Sequence, residues 1–569
     1  MSLQPPPTDA ERAKVAELLK ILVGTPKKTR DAEPYMLAYR QREPDGEITT
    51  TWWHAGSEEE LREMELFYQA ATKSGAFAEP IPPGEPVYRD PEELALIRAV
   101  LANRDDKNGY LVYADYLSER GNTQGDQLRD SINFEYFGAR DDPDQARSDE
   151  LWNNFWDRLE RHAEEWLAPL TALGLRPVTY EGEFCPEDWV SRGIIQGVAI
   201  QRPGILPEHA DRLFAAAPLL RDLLFCAECF DPRALELPQF NQLDGLKFTG
   251  ANMTPEQLTA VLACKHLGSL RGLWLSANFL LDDTCARALA RWPGLARLHE
   301  LDVSITSFTD AGVAALANSP RIANLRTLEI GNTTVTSPAP LLRGKHIRAL
   351  ERLVYHTAGL DSAAASLFTR FERLRELELL TTTFEPGAFA ALCACPLPAL
   401  QCLRVTDTRG GELGTADLAA LATAPFARHV RELNFEETVF APGALAGLER
   451  GAFPALTDLN LSICLHEPGA IRPLVEAGDR FPALKRLHLP ATSLTPADAT
   501  ALAESPLLRN VTVLDVRQNK IGLKGARALA KSSQLGALRV LKVWSKDVGE
   551  KGLQVLLDRF GEEVVEVYE

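Results

Sequence analysis

From residue 193 onward the hydrophobic positions recur in one short figure: apolar-x-x-apolar-x-apolar, then a polar residue, then an alanine- or leucine-rich stretch. The clearest copy is VTVLDVRQNKIGLKGARALA, Val511 to Ala530. There Val511, Leu514 and Val516 form the inward side of a strand, and Asn519 marks a turn. Ile521, Ala526, Leu529 and Ala530 then give a helix its apolar face. One strand and one helix cannot bury both apolar faces alone, so the unit must stack on copies of itself. Copies open at Leu484, Leu456, Val430, Leu400, Leu374, Leu350, Leu325, Leu298, Leu270 and Leu243. Weaker ones open at Leu220 and Ile195, and one more follows at Leu538. The spacing of roughly 23–30 residues predicts an α/β solenoid of about 14 strand-helix repeats, with a parallel sheet on its concave face.

Further into the units stands a small polar or thiol residue: Asn278, Thr306, Thr333, Thr382, Thr408, Thr438, Cys464, Thr492 and Asn519. Its side chain is expected to satisfy backbone groups of the turn that stacking would bury unpaired. Two positions later an apolar plug is expected at Leu280, Phe308, Val335, Leu360, Phe384, Phe440, Leu494 and Ile521. On these residues the array resembles leucine-rich repeats of the ribonuclease-inhibitor type, whose units alternate a strand with a full helix. The last strand is expected at Val564, Val565 and Val567, its edge blunted by the glutamates around it.

Smaller modules precede the array. Residues 1–85 read as an α-β-β-α module. A helix capped by Thr8 comes first, then a hairpin of 35–40 and 48–53 around Glu43-Pro44-Asp45-Gly46. A helix opened by the capping box Ser57/Glu60 follows. Residues 90–137 form a helical module in which Asp90 caps, Pro91 takes the first helical position, and a second helix carries YLVYADYLSERGN, Tyr110 to Asn122. The run Tyr113, Ala114, Asp115, Tyr116, Leu117, Glu119, Arg120, Gly121 is closely similar to the signature of a small bacterial repeat-companion domain. Tyr116 stands there in place of the usual Trp. That resemblance implies a bacterial protein and carries no chemistry. Asp115 and Glu119 share a helix face, and the expected role is an ion pair with Arg120 or Arg98 that locks the helices. Residues 148–192 read as a capping and connecting segment, its helix striped with Trp152, Phe155, Trp156 and Trp166 to cover the solenoid's open end. The repeats occupy 193–569.

Composition narrows the function. The 569 residues carry a net charge of −18, which argues against binding a phosphate backbone. No apolar run reaches membrane-span length and the start lacks a secretory signal, so no membrane association is expected. Nine cysteines, an odd number, predict a reduced, cytoplasmic protein. Cys226 and Cys229 form C-x-x-C with no second pair, so buried thiols are expected rather than a metal. No phosphate-binding loop, dinucleotide fingerprint, nucleophile elbow or zinc-protease motif occurs, and the histidines scatter over different repeats. No catalytic residue and no cofactor are therefore expected.

Function is expected on the concave sheet, where alternate strand residues point away from the core. The predicted protein-binding positions are Trp274, Glu300, Asp302, Glu329, Arg352, His356, Glu376, Glu378, Arg404, Glu432, Glu436, Asp458, Arg486, Asp515, Arg517 and Trp544. The surplus of acid predicts a partner with a basic surface, and Trp and Arg suit interface anchors. The reading is a non-enzymatic protein-interaction scaffold. Two alternatives stand beside it: a ribonuclease-inhibitor-like regulator of an enzyme or small GTPase, by analogy of fold, and an unrecognised enzyme in the first 190 residues.

Overall fold

The computed structural model describes residues 36–42, 48–54, 90–103, 106–137, 145–173, 175, 194–200, 204–225, 229–331, 334–356, 359–408 and 411–568. The helices anticipated after Thr8 and Ser57, the turn at Glu43–Gly46, Cys226 and Thr333 lie outside these residues. So do the side chains of Trp52, Trp53, Trp152, Phe155 and Trp156. The chain divides into two compact units, residues 1–252 with 264–269, and residues 253–263 with 270–569. Among the described residues no helix is long and apolar enough to cross a membrane.

In the first unit, strands Met36–Arg42 and Ile48–His54 pair antiparallel. Helices Pro91–Ala102, Lys107–Glu119 and Thr123–Phe137 follow. Asp90 caps the first of them, its carboxylate accepting from the Glu93 N–H at 2.8 Å. Gly125 lets two helices approach closely, since a Cβ there would collide with the Ala114 carbonyl. The core joins Ile97, Val100, Tyr113, Tyr116 and Leu128 to Ile194 and Leu219 at the first repeats. Tyr116 donates to Asp90 at 2.5 Å, which holds the phenol up at about 12 and the Asp90 carboxyl below its usual range. The ion pairs differ from the anticipated ones. Asp115 pairs with Arg129 at 2.7 Å, and Arg120 pairs with Glu92 at 2.8 Å while stacking on Tyr116. Helix packing brings a third helix to Asp115, which spacing within one helix cannot reveal. The long helix Gln145–Thr171 buries Leu159, Ala163, Trp166 and Leu167, and Arg158 ties it to Asp130 at 2.8 Å. Parallel strands Gly197–Ile200, Asp222–Phe225 and Gly245–Lys247 then pair in chain order.

The second unit is a stack of parallel strands in chain order, from Gly272–Trp274 to Val565–Tyr568. Each strand is followed by a turn and, in most repeats, a short helix. Inward residues Leu273, Leu301, Leu328, Leu353, Leu377, Leu403, Leu433, Leu459, Leu487 and Leu514 are all buried. Helices start on local signals. Asp282 caps Asp283–Arg291 and accepts from Thr284 N–H at 2.8 Å. Thr495 and Asp498 form a reciprocal capping box on Pro496–Glu504.

The turns repeat as closely as the strands. Ala277, Ile305, Thr381, Asp407, Glu437, Ile463, Ala491 and Gln518 all have positive φ. Each directly precedes the small polar or thiol residue of its repeat. That residue bonds backbone, as anticipated. Asn278 accepts from Met253 N–H at 2.8 Å and donates to Leu275 O at 2.9 Å. Thr438 donates to Val405 O and Thr492 to Leu489 O, each at 2.6 Å. The apolar plugs are buried at Phe308, Val335, Leu360, Phe384, Phe440, Leu494 and Ile521. Leu280 is a correction: it is exposed, and Leu281 fills the core instead. One extra residue in this turn pushes Phe279 and Leu280 outward, while Leu281 O holds the Ser307 N–H at 2.9 Å.

Candidate functional site

The parallel register aligns the outward side chains into rows across the open face of the second unit's sheet. One row runs Gly272, Glu300, Thr327, Arg352, Glu376, Cys402, Glu432, Asp458, Arg486. Its neighbour runs Trp274, Asp302, Glu329, Val354, Glu378, Arg404, Asn434, Asn460, His488, Asp515, Lys542. A third, one step further along the strands, holds His356, Glu436, Arg517 and Trp544. All the sequence-predicted positions lie in this one unit.

Much of the charge in the middle is paired across strands. Arg352 reaches Glu329 at 2.5 Å and Glu376 at 3.3 Å, and approaches Glu378 at 3.9 Å. Arg404 reaches Glu432 at 2.8 Å and Glu378 at 3.4 Å. Burial would weaken both guanidinium charges, yet the surrounding carboxylates hold both arginines above their ordinary range. The ribbon still holds more acid than base: Glu329, Glu376, Glu378 and Glu432 against Arg352 and Arg404. His356 stands at its edge, and burial lowers its pKa against the opposing pull of Glu378, Glu329 and Asp302. Farther along, Asp458 is bonded to Arg486, while Glu300 and Glu436 are exposed.

Two predicted acids are buried instead of presented. Asp302 accepts from the Ser304 N–H at 2.9 Å and its hydroxyl at 2.7 Å, and burial pushes its carboxyl up. Asp515 is held by a fork from Arg517, at 2.9 Å to one carboxylate oxygen and 2.7 Å to the other. Burial works to raise it, but His488 and Arg517 outweigh that and bring it down to about 2. These aspartates shape the surface by orienting their neighbours. Arg517, so oriented, lies 4.2 Å from the Tyr568 ring centre.

Around Arg517 a cleft of about 330 Å³ opens, lined by Glu436, Asn460, Ile463, His488, Trp544 and Tyr568 among others. At the other end the half-buried Trp274 lays its ring over Gly272, where any Cβ would strike it. Sequence reasoning missed the exposed apolar residues of the turns, Phe279, Leu280, Ile305 and Ile463. A signal for the first two existed: the cap Asp282 stands one residue further from Leu270 than Thr309 from Leu298 or Thr495 from Leu484.

Among the described residues no group of three or more His, Cys, Asp or Glu is placed to hold a metal ion. Among the described cysteines, burial pushes Cys395 up to about 11 and Cys402 and Cys464 up to about 12. Such thiols are poor nucleophiles at neutral pH.

No curated protein matches the chain. Among solved structures it is similar to an internalin, InlF, from Listeria monocytogenes str. 4b F2365. The identity is 14% over 56% of this chain and 90% of that one, with a TM-score of 0.35. It is also similar to a chain of the yeast Rad7 and Elc1 complex, at 14% identity over 67% of this chain and 83% of that one, with a TM-score of 0.38. Residues 508–530 match the family model described as Leucine Rich repeat. The same strand, left-handed turn and helix recur through the units upstream, so the fold is a leucine-rich-repeat solenoid.

Proposed function

We propose that the protein is a non-enzymatic protein-interaction scaffold that holds a partner with a basic surface on the open, concave face of its sheet. The observation carrying this reading is the alignment of outward charged and aromatic side chains into continuous rows on adjacent strands. At about 4.8 Å per strand the rows from Trp274 to Tyr568 extend roughly 50 Å. That is a protein-sized surface, ample for a standard interface of about 800 Å² per partner. The acid left over after the arginines are paired, together with the exposed Glu300 and Glu436, favours lysine and arginine opposite it. Because the ribbon's own pairs already neutralise much of its field, anchoring falls to the exposed acids and to aromatic side chains at the ends.

The test is affinity capture from an extract of the source organism, with wild-type protein beside a Glu300→Lys/Glu376→Lys/Glu436→Lys variant of matched circular dichroism. The expected result is a protein with a basic surface retained by the wild type and lost by the variant. Identical capture by both would remove the acidic face from the account.

A further inference from the structure

Among the described residues the two most exposed large apolar side chains stand in one turn, Phe279 at 65% and Leu280 at 56%, and Ile305 in the next turn is 42% exposed. The two turns that carry them lie side by side: Ala277 N–H donates to Ser304 O at 3.1 Å, and the Ser307 hydroxyl to Phe279 O at 2.5 Å. We propose that this turn edge docks a partner segment whose apolar side chains are flanked by lysine or arginine. The proposal rests on the reading of the repeats as protein-binding, and names where on them and by what chemistry.

Three observations converge. First, Ile305 has φ of 52°, a left-handed conformation that a β-branched residue adopts only at a cost. Glycine or asparagine would relieve that cost, and a polar residue would remove the exposed apolar surface. The position instead keeps a side chain unfavourable on both counts, as expected where the side chain itself is used. Second, the inserted residue that sends Leu281 into the core is what projects Phe279 and Leu280 beside Ile305. The plugs Phe308, Val335, Leu360, Phe384, Phe440, Leu494 and Ile521 are buried. Third, acid predominates where the patch stands: Asp282, Asp283 and Asp310 flank the two turns, Asp283 accepting from the Thr309 hydroxyl at 2.6 Å, with Arg287 the nearest arginine in sequence. An apolar patch rimmed by acid selects an apolar segment rimmed by base. It repels a second copy of this acidic chain and an anionic lipid surface alike.

The probe is a fluorescein-labelled amphipathic peptide of leucine and lysine only, titrated by anisotropy at physiological salt against the full chain. Its counterpart has glutamate for every lysine. The expected result is binding of the lysine peptide alone, weakened at least about tenfold by Phe279→Ser/Leu280→Ser. Ile305→Gly should weaken it several-fold while the melting temperature holds or rises, because glycine suits the left-handed turn. A loss of fold would move the melting temperature the other way. A Glu376→Lys/Glu436→Lys variant, altered away from this edge, separates the two readings. Binding lost there but kept by the turn variants overturns the turn edge and leaves the open face standing. Binding unchanged in every variant overturns both. Equal binding of the glutamate peptide, or a dimer in light scattering that Phe279→Ser/Leu280→Ser dissolves, also overturns the proposal.

Discussion

Replacing Asn519 by alanine is expected to destabilise the C-terminal repeats by about 3–5 kcal/mol, among the largest single-residue effects in the chain. The buried Asn519 amide joins two turns. Its oxygen accepts from Thr492 N–H at 3.1 Å and Leu494 N–H at 2.9 Å. Its nitrogen donates to Leu489 O at 2.7 Å, Val516 O at 3.1 Å and Arg517 O at 3.0 Å. Alanine leaves these groups unpaired where water has little access, at about 1–3 kcal/mol for each one fully stranded. The total falls short of the sum because the vacated amide volume admits some water. Hydrogen exchange resolves the effect repeat by repeat, as a stack of nearest-neighbour units requires. Amides of Thr492 and Leu494 should lose protection first. Cys464→Ala, at the equivalent position with a thiol alone, should cost about 1 kcal/mol by the same measurement. Equal effects at the two sites would contradict the assigned role of the asparagine.

Gly331→Ala is the second large effect. Gly331 ends the strand Thr327–Gly331 at φ of 123° and pairs with His356. A Cβ there would collide with the His356 carbonyl group, backbone that cannot swing aside. Strain in φ and separation of the two strands together should cost more than about 2 kcal/mol. Gly272→Ala is the control, because the atoms nearest its Cβ would belong to the Trp274 ring, a half-exposed side chain rather than backbone. Urea unfolding of the two variants should show a large loss for the first and a small one for the second. Comparable losses would mean that the strand contact at His356 is not as close as described.

These effects trace back to what local sequence can and cannot encode. The period, the inward leucines and the polar turn residue were legible because each depends on spacing within one unit. The plug at Leu280 was not, because the same leucine-leucine pair serves either register, and the extra residue shows only in the displaced cap Asp282. Outward positions were legible from strand alternation; their partners were not. Glu329–Arg352 and Arg404–Glu432 join residues in different repeats, and only the stacked register brings them within reach. Asp302 and Asp515 follow the outward alternation yet are buried, because Ser304 and Arg517 two residues on fold back over them. Ile305 and Ile463 share one turn position, just before the polar residue, where strand alternation no longer says which way a side chain points, so the sequence pattern passed over them.

The measurement closest to the central claim is site-specific photocrosslinking in the source organism. A benzophenone side chain is placed in turn at Glu300, Glu376 and Glu436 on the open face, and at Arg287 and Lys524 on the helical side. The account predicts one protein adduct shared by the open-face positions and absent from the helical ones. An adduct formed only from Arg287 and Lys524 would contradict it and move the binding surface to the helices.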